Sequence, residues 1–286
     1  MSPRLLVLGC GYIGTEVLRQ ATRAGWQARG VVRSVASAER LVAEGLEVIS
    51  FDVLSGDLNV LGEGWDAVVY ALSAGGGGQA AYAAAYATGP ARVARWVEQK
   101  KFRSLVLTSS TGVYRQEGEV DEASVAGGDG PSDALVAGEQ AILSASIPVR
   151  CVLRLGGLYG PGRHYLLDQL RCGERVVGGV VSYRINYLHQ HDAASAVLAA
   201  ASAPEGAHLF NVTDGHPVTK EALAGWICQQ LGGPAPTFDA SAPAGPRAQR
   251  TGRVTPDRWV RSEAIRAKLG WKPQFSSVFE GLKPLI

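Results

Sequence analysis

The sequence predicts a doubly wound α/β fold, a parallel sheet with helices on both faces. Three observations predict it. Short apolar runs alternate with longer segments of helical period, the pattern of repeated βαβ units. The first apolar run breaks into a glycine cluster, RLLVLGCGYIGTEVLRQA (Arg4–Ala21), that opens the first helical segment. The chain has 286 residues, 46% hydrophobic and 19% charged, which suits one large α/β domain or one domain with a small appendage.

The elements follow in order. Strands are expected at Leu5–Leu8, Gln27–Val32, Glu47–Phe51, Ala67–Ala71, Ser104–Thr108 and Arg150–Leu155. Between them, helices are expected at Thr15–Ala24, Ala36–Glu44, Ala80–Gln99 and Ser132–Ser146. The four-glycine run Gly75–Gly78 reads equally as a loop near a ligand or as a linker. After Leu155 the pattern changes. GGLYGPGRH is turn-rich and does not read as a crossover helix. Strands are expected at Tyr183–Leu188 and His208–Val212, and helices at Asp192–Ala201, Thr219–Leu231 and Ser262–Leu269. The Pro/Ala/Gly stretch APTFDASAPAGPRAQ reads as a mobile loop. No internal repeat or heptad pattern is present.

Gly9, Gly11 and Gly14 have G-x-G-x-x-G spacing between strand and helix, and each glycine has a job. Gly9 allows the tight turn, Gly11 lets a pyrophosphate approach the backbone, and Gly14 lets helix and strand pack closely. The helix N-terminus then presents unpaired N–H groups and a partial positive charge to the phosphates. Gly9, Gly11, Tyr12, Ile13 and Gly14 are therefore the expected phosphate side of a dinucleotide site, and the expected sheet is of the Rossmann type. NAD sites of this kind end the second strand with a carboxylate for the ribose 2′-OH. Here the chain reads GVVRSVASAER, with Arg33 and Ser34 and no carboxylate before Glu39. A guanidinium there can pair with a 2′-phosphate, which favours NADP over NAD. Asp52 and Val53 follow the third strand, where Asp52 reads equally as an adenine contact or a turn carboxylate. Ala71, Leu72 and Ser73 end the fourth strand and are expected under the cofactor ribose.

A net charge of +2 gives no electrostatic reason to expect nucleic acid or a membrane as partner. No stretch reaches the roughly 20 apolar residues a bilayer requires, and the first apolar run is too short for a secretory leader. Cys10, Cys151, Cys172 and Cys228 form no C-x-x-C pair and no metal spacing. Cys10 and Cys151 adjoin apolar runs and read as buried thiols. A reducing, cytoplasmic setting is the expectation.

Five collinear segments resemble the extended short-chain dehydrogenase/reductase superfamily, the NAD-dependent epimerase/dehydratase family. They are LVLTSSTGVY (Leu105–Tyr114), VLRLGGLYGPGR (Val152–Arg163), INYLHQHDAASAV (Ile185–Val197), LFNVTDGHPVT (Leu209–Thr219) and RAKLGWKP (Arg266–Pro273). The resemblance implies a Rossmann domain, here residues 1–155 with about 183–202. It also implies a small C-terminal α/β substrate domain, here 156–182 with about 203–286. The implied substrate is a small molecule, nucleotide sugars among them. The family's homodimer would join through Ala80–Gln99 and Ser132–Ser146.

The family's chemistry rests on Ser/Thr, Tyr and Lys. The tyrosine exchanges a proton with a substrate oxygen, and the lysine lowers its pKa. Glu139 fits the glutamate that follows that lysine by four positions. Counting back puts the lysine at position 135 and the tyrosine at 131, which here are Leu135 and Pro131. No lysine occurs between Lys101 and Lys220. Leu8 and Arg115 also stand where the family usually has glycine. The chain thus resembles an atypical subgroup that keeps the cofactor site and lacks the Tyr–Lys pair.

Ser110 and Thr111 remain as candidates to hold a substrate oxygen. Tyr159 and His164 lie in the implied cleft loop, where His164 could act as acid or base. Tyr114, Arg163 and Asn186 are candidate substrate contacts, and Arg163 suits a phosphate or carboxylate. For each of these a purely structural role is the competing reading. Asn186, His189 and Asp192 read as a positioning and capping cluster, with Asp192 as the helix cap. Arg154 reads as a packing or ion-pair residue. Two functions fit: an NAD(P)-dependent epimerase/dehydratase-like oxidoreductase acting on a polar alcohol or carbonyl, or a non-catalytic NADP-binding sensor or regulatory protein. A polar cleft beside Ser110, with Tyr159 or His164 pointing into it, would favour the first.

Overall fold

The computed structural model describes residues 2–75, 77–100, 102–245 and 255–286. The dominant unit is a seven-stranded parallel sheet. Its strands are β1 (Arg4–Leu8), β2 (Gln27–Val32), β3 (Val48–Ser50), β4 (Ala67–Tyr70), β5 (Ser104–Ser110), β7 (Val149–Leu155) and β12 (Gly206–Val212). The order is β12-β7-β5-β4-β1-β2-β3, so the winding reverses between β1 and β4. In doubly wound folds ligands bind at such a switch point, outside the carboxyl ends of the strands.

The strands are mostly apolar because both faces are covered. Successive side chains alternate between two cores. Leu5 and Val7 join Val69, Val106 and Leu153 beneath α1 (Tyr12–Arg23) and α7 (Gln190–Ala201). Leu6 and Leu8 join Val68, Tyr70 and Leu105 on the opposite face, beneath α4 (Gly89–Lys100) and Ile142 of α5 (Gly130–Leu143). Complete burial of each such side chain contributes about 1.5–3 kcal/mol. Helix α2 (Val35–Ala43) covers the β3 edge through Ala38 and Leu41.

The helix expected over 80–99 is one helical run with a fault in it. Helix α3 (Gly78–Ala83) leads through a widened π-type turn at Ala84–Thr88 into α4. The Tyr70 hydroxyl donates to the Ala85 carbonyl at 2.6 Å, satisfying an acceptor in that turn. Helix α5 packs against the same turn at Gly138, where a Cβ would collide with the Tyr86 carbonyl oxygen. Of the glycine run, Gly75 and Gly78 have positive φ, and Gly76 lies outside the described residues.

A smaller set of elements sits beyond the sheet. Strand β8 (Gly157–Tyr159) pairs with β11 (Tyr187–His189) in parallel. Strand β9 (Val176–Gly178) pairs with β14 (Thr237–Asp239), and β10 (Arg184–Ile185) with β13 (Val218–Thr219). Strand β6 (Gly118–Val120) pairs with β15 (Arg258–Val260). Helices α6 (Tyr165–Arg171), α8 (Lys220–Gln230) and α10 (Val278–Leu282) share a core that includes Tyr159, Leu167, Leu223 and Leu282. Helix α9 (Glu263–Leu269) contributes Ile265 to the α1/α7 core.

Four expectations need correction. The strand at 208–212 belongs to the large sheet as β12, not to the smaller unit, because its alternate residues Phe210 and Val212 complete the α7 core. The single strand expected over 183–188 is two, parted at Asn186, whose side chain binds β15. The turn-rich GGLYGPGRH contains β8. The stretch 235–249 contains β14, and its residues 246–249 lie outside the described set.

Gly138→Ala should destabilise the fold by about 1–3 kcal/mol, the usual cost of overpacking a closed contact. Urea unfolding of the variant and the parent protein measures it.

Candidate functional site

The fingerprint turn is built by close approaches. Gly9 has φ +98°, and a Cβ there would stand 2.8 Å from the Ala71 carbonyl and the Leu72 nitrogen. Only glycine lets the β1 exit lie against the β4 exit in this way. The Gly9 and Cys10 amides both donate to the Val31 carbonyl at 3.0 Å, which ties the turn to β2. A Cβ on Gly14 would overlap the Gly9 carbonyl oxygen. The Cys10 side chain fills the space left by the missing Cβ of Gly30. Burial pushes its thiol pKa up to about 12, so it is an inert packing group.

Gly11 is the exception. No heavy atom lies within 4 Å of the place its Cβ would occupy. The first α1 bond closing on this turn runs from the Thr15 amide to the Gly11 carbonyl. The amides of Tyr12, Ile13 and Gly14 precede it and have no partner within the helix. An open face beside such amides fits a pyrophosphate, so the residues present suit the cofactor.

Around this cradle lie the other expected contacts. Arg33 and Ser34 are exposed at the β2 exit. Ser34 caps α2, accepting from the Ser37 amide at 3.3 Å. Asp52 binds its own turn, accepting from the Leu54 amide and the Ser55 hydroxyl at 2.9 Å. Those bonds, the Leu54 amide foremost, hold its carboxyl below the usual range, with the Arg33 charge assisting. Val53 is buried in the α4/α5 core. Ala71, Leu72 and Ser73 leave β4 beside Gly9, with the Ala71 amide donating to the Leu8 carbonyl.

At the β5 exit the Ser110 hydroxyl accepts from the Gly112 amide at 3.0 Å. That bond leaves its own proton available to an acceptor. Thr111 is buried at the start of a short 3-10 turn. The place of the family's lysine holds Leu135, buried against Val113, Tyr114 and Val260, with Tyr82 and Tyr86 packed alongside.

Four candidates make defined contacts within the protein. Tyr114 is fully buried; its hydroxyl donates to Asn211 Oδ1 at 2.8 Å and accepts from Arg154 at 2.9 Å. Asn186 clamps β15, donating to the Arg258 carbonyl and accepting from the Val260 amide. Tyr159 is 1% exposed and its ring lies edge-on to Tyr187 and His189. Burial, then the nearby Asp214 charge, raises its pKa. His164 caps α6, its Nδ1 accepting from the Leu167 amide at 3.0 Å. Burial pushes its pKa down to about 4. Arg163 alone of the cleft-loop candidates is exposed, with its guanidinium 5.0 Å from the Tyr12 ring centroid.

The capping cluster is also reassigned. His189 caps α7, accepting from the His191 amide. Asp192 lies inside the first turn and accepts from the Gln274 and Phe275 amides, so it holds the chain after α9. A geometric cap must precede the helix, and α7 begins at Gln190.

Sequence reasoning missed a buried polar network. Arg154 and Glu139, both nearly inaccessible, pair in a fork with a shortest contact of 2.7 Å. Glu139 also accepts from Ser109 at 2.6 Å. Asn211 extends the network to Glu122 and the Arg261 carbonyl, and Arg258 donates to the Tyr114 carbonyl. The one signal in the sequence was the pairing of Arg154 in an apolar strand with a lone glutamate on the α5 core face. Among the described residues no cluster of three or more His, Cys, Asp or Glu could hold a metal, and no helix is long and apolar enough to cross a membrane.

Comparison with known proteins agrees with this architecture. Residues 9–131 match a family model described as NAD(P)H-binding. A 3-diazoavenalumate denitrifying reductase from a Streptomyces species is 31% identical over 156 residues. The match spans 51% of this chain and about half, 50%, of that reductase. A functionally unknown conserved protein from Silicibacter pomeroyi superposes with a TM-score of 0.80 at 23% identity, over 99% of this chain and 98% of that one. The UDP-glucose 4-epimerase of Thermotoga maritima gives 0.82 at 17%, over 98% and 96%. The dTDP-glucose 4,6-dehydratase of Bacillus anthracis, in complex with NAD, gives 0.80 at 15%, over 99% and 95%. These structures share the fold of this chain along nearly its whole length, and its first half carries the match to the NAD(P)H-binding family model.

Two predictions follow from the buried groups. Glu139→Ala should cost about 3–5 kcal/mol by leaving Arg154 buried and uncompensated, and adding Arg154→Met should recover much of it; denaturant titration of the single and double variants measures this. The second concerns acid. His164 and His189, both held near 4 against an ordinary 6.5, bind fewer protons folded than unfolded between those values. Stability should therefore fall as pH drops from about 6.5 towards 4. Asp214, raised by burial to about 7, acts in the opposite sense. Its contribution is present below the unfolded carboxylate value and is lost as pH rises through 7. Unfolding free energies should rise from pH 4 to a maximum near 6.5, with Asp214 offsetting part of the histidine contribution, and these groups should add little change above about 7; a His164→Asn variant should lose part of the acid limb.

Proposed function

We propose that the protein is a nicotinamide-dependent oxidoreductase that prefers NADP to NAD and acts on a small polar alcohol or carbonyl, nucleotide sugars among them, without a tyrosine–lysine pair. The observation that carries this reading is the open face of Gly11 beside the unpaired amides of Tyr12, Ile13 and Gly14. In this reading those amides hold the cofactor pyrophosphate, and Ala71, Leu72 and Ser73 line the ribose. Arg33 and Ser34 take the 2′-phosphate. The preference for NADP rests on Arg33 and on the lack of a carboxylate at the β2 exit; the related dehydratase structure holds NAD. Asp52, engaged in its own turn, is left outside the adenine contacts.

Bound nicotinamide would supply or accept a hydride. The Ser110 hydroxyl, anchored by the Gly112 amide, would donate to the substrate oxygen, with Thr111 behind it. Leu135 supplies no charge where the family has lysine. Loss of positioned acid–base help costs about 10²–10⁴-fold in rate, so the proton at that oxygen comes from water or from the substrate itself. The partial likeness to a reductase supports an oxidoreductase; the apolar packing of Leu135 supports the second reading, a cofactor-binding sensor without turnover.

Calorimetric titration with NADPH and then NADH tests the proposal. NADPH should bind at least about tenfold more tightly, the worth of one charge-assisted pair. Arg33→Ala should erase that difference, and Gly11→Val should abolish binding of both. Absence of binding by the parent protein would overturn the cofactor reading; tight binding with no turnover across polar carbonyl substrates would favour the sensor.

A further inference from the structure

The loop after β8 carries an exposed arginine for which the ion pairs among the described residues give no partner. Residues Gly160 to Arg163 form a tight turn closed by two reciprocal bonds, Gly160 amide to Arg163 carbonyl at 3.3 Å and Arg163 amide to Gly160 carbonyl at 3.0 Å. This turn is pressed onto the first residue of α1. A Cβ on Gly160, which has φ +143°, would lie 2.9 Å from the Tyr12 hydroxyl and 3.2 Å from both His189 Nε2 and Gln190 Cβ. Gln190 in turn donates from its side-chain amide to the Tyr12 carbonyl at 2.5 Å. Tyr12 is thus gripped from the far side of the sheet order, three strands from β1, by the segment that follows β7. The grip sets Arg163 on the outer face of the Tyr12 ring, exposed, with no carboxylate partner among the described residues.

We propose that Arg163 is a phosphate-binding residue of the dinucleotide site, reaching the pyrophosphate from its seat on the Tyr12 ring. The inference rests on the cofactor reading above. Its physical basis is position and charge. The backbone N–H groups that face the pyrophosphate belong to Tyr12 and its two successors, and the Arg163 guanidinium sits on the Tyr12 side chain. A guanidinium stacked on an aromatic ring keeps its edge N–H groups free, because the ring takes its face. Arginine offers a planar fork that matches phosphate oxygens. The ring therefore acts as a seat from which the charge can pair with an anion at the helix N-terminus. Glu16, the nearest acidic group on α1, is occupied by Arg19, Arg23 and Gln20 and does not compete. In this arrangement one arginine, Arg33, reads the 2′-phosphate, and the other reads the diphosphate that NAD and NADP share. The same loop leads into α6, so cofactor phosphate and the smaller unit would be mechanically joined through one side chain.

The test uses NADPH and ADP-ribose, which carries the pyrophosphate and lacks the 2′-phosphate. Arg163→Ala should weaken both ligands about tenfold or more, as expected for one charge-assisted pair. Arg163→Lys should restore part of the loss. Arg33→Ala should weaken NADPH alone. Because Arg163 is exposed, the melting temperature of its variants should match the parent and so separate binding from folding. Unchanged affinity of Arg163→Ala for both ligands, with Gly11→Val still inactive in binding, overturns the inference and leaves the cofactor reading standing. A loss confined to NADPH also overturns it, since the pyrophosphate would then not be the group contacted. If the parent protein binds neither ligand, the cofactor reading fails and this inference fails with it.

Discussion

An arginine and a glutamate that scarcely touch water hold the centre of this molecule. Arg154 on β7 and Glu139 on α5 are charges that burial alone would make prohibitive. They persist because each is also held from a second side: Glu139 by Ser109, Arg154 by the Tyr114 hydroxyl, and that hydroxyl by Asn211. A pair of this kind adds little net stability over a hydrophobic substitute, but it penalises any arrangement in which a member is missing. The consequence is positional. The ends of β5, β7 and β12 and one face of α5 are fixed with respect to one another, and the turn bearing Ser110 is fixed with them. Glu139, which the family resemblance would set four positions after a lysine, serves here as an anchor, one turn beyond an apolar Leu135.

The fold was largely legible because its strands are buried on both faces. A run such as LLVL or LVVY-like AVVY at Ala67–Tyr70 has few alternatives in a chain of this composition, and helices with a single apolar stripe alternate with it. The fingerprint was legible for a related reason: glycine spacing reflects backbone approaches, and the approaches of Gly9 to Ala71 and of Gly14 to Gly9 are present as that spacing requires. Strands of two or three residues were not legible. Pairs such as β10–β13 or β6–β15 are too short to show a period, and their partners lie far away in sequence. The location of β12 was missed because the family pattern assigns chain segments to domains by order, while the sheet recruits by apolar alternation.

At the candidate site the backbone approaches of the glycine turn were legible in the sequence, while the surroundings of the candidate side chains were not. Main-chain amides and glycines do their work without side chains, so their pattern survives in the sequence. Tyr159, His164, Tyr114 and Asn186 carry chemically capable groups, and nothing local distinguishes a reactive phenol from one spent on a neighbour. Only three-dimensional burial does so. His164 illustrates the point: its ring nitrogen is occupied by the Leu167 amide, and burial removes its titration from the neutral range. Asp192 shows the same ambiguity in a milder form, since a carboxylate near a helix start is a cap by default and here secures a distant loop.

The bonds that Asn186, Tyr114 and Asn211 make to residues 258–261 have a meaning in time as well as in space. The Arg258 bond to the Tyr114 carbonyl closes a span of 144 residues. Contacts so distant along the chain are costly to form early, because the loop entropy must be met before the contact repays it. During synthesis, β1 to β4 and the fingerprint can assemble while later residues are still unmade, whereas the turn carrying Ser110 gains its last supports only once β15 has left the ribosome. The glycine turn would thus precede the completed β5 exit in the life of each molecule, and a nascent chain would pass through an interval with one and not the other.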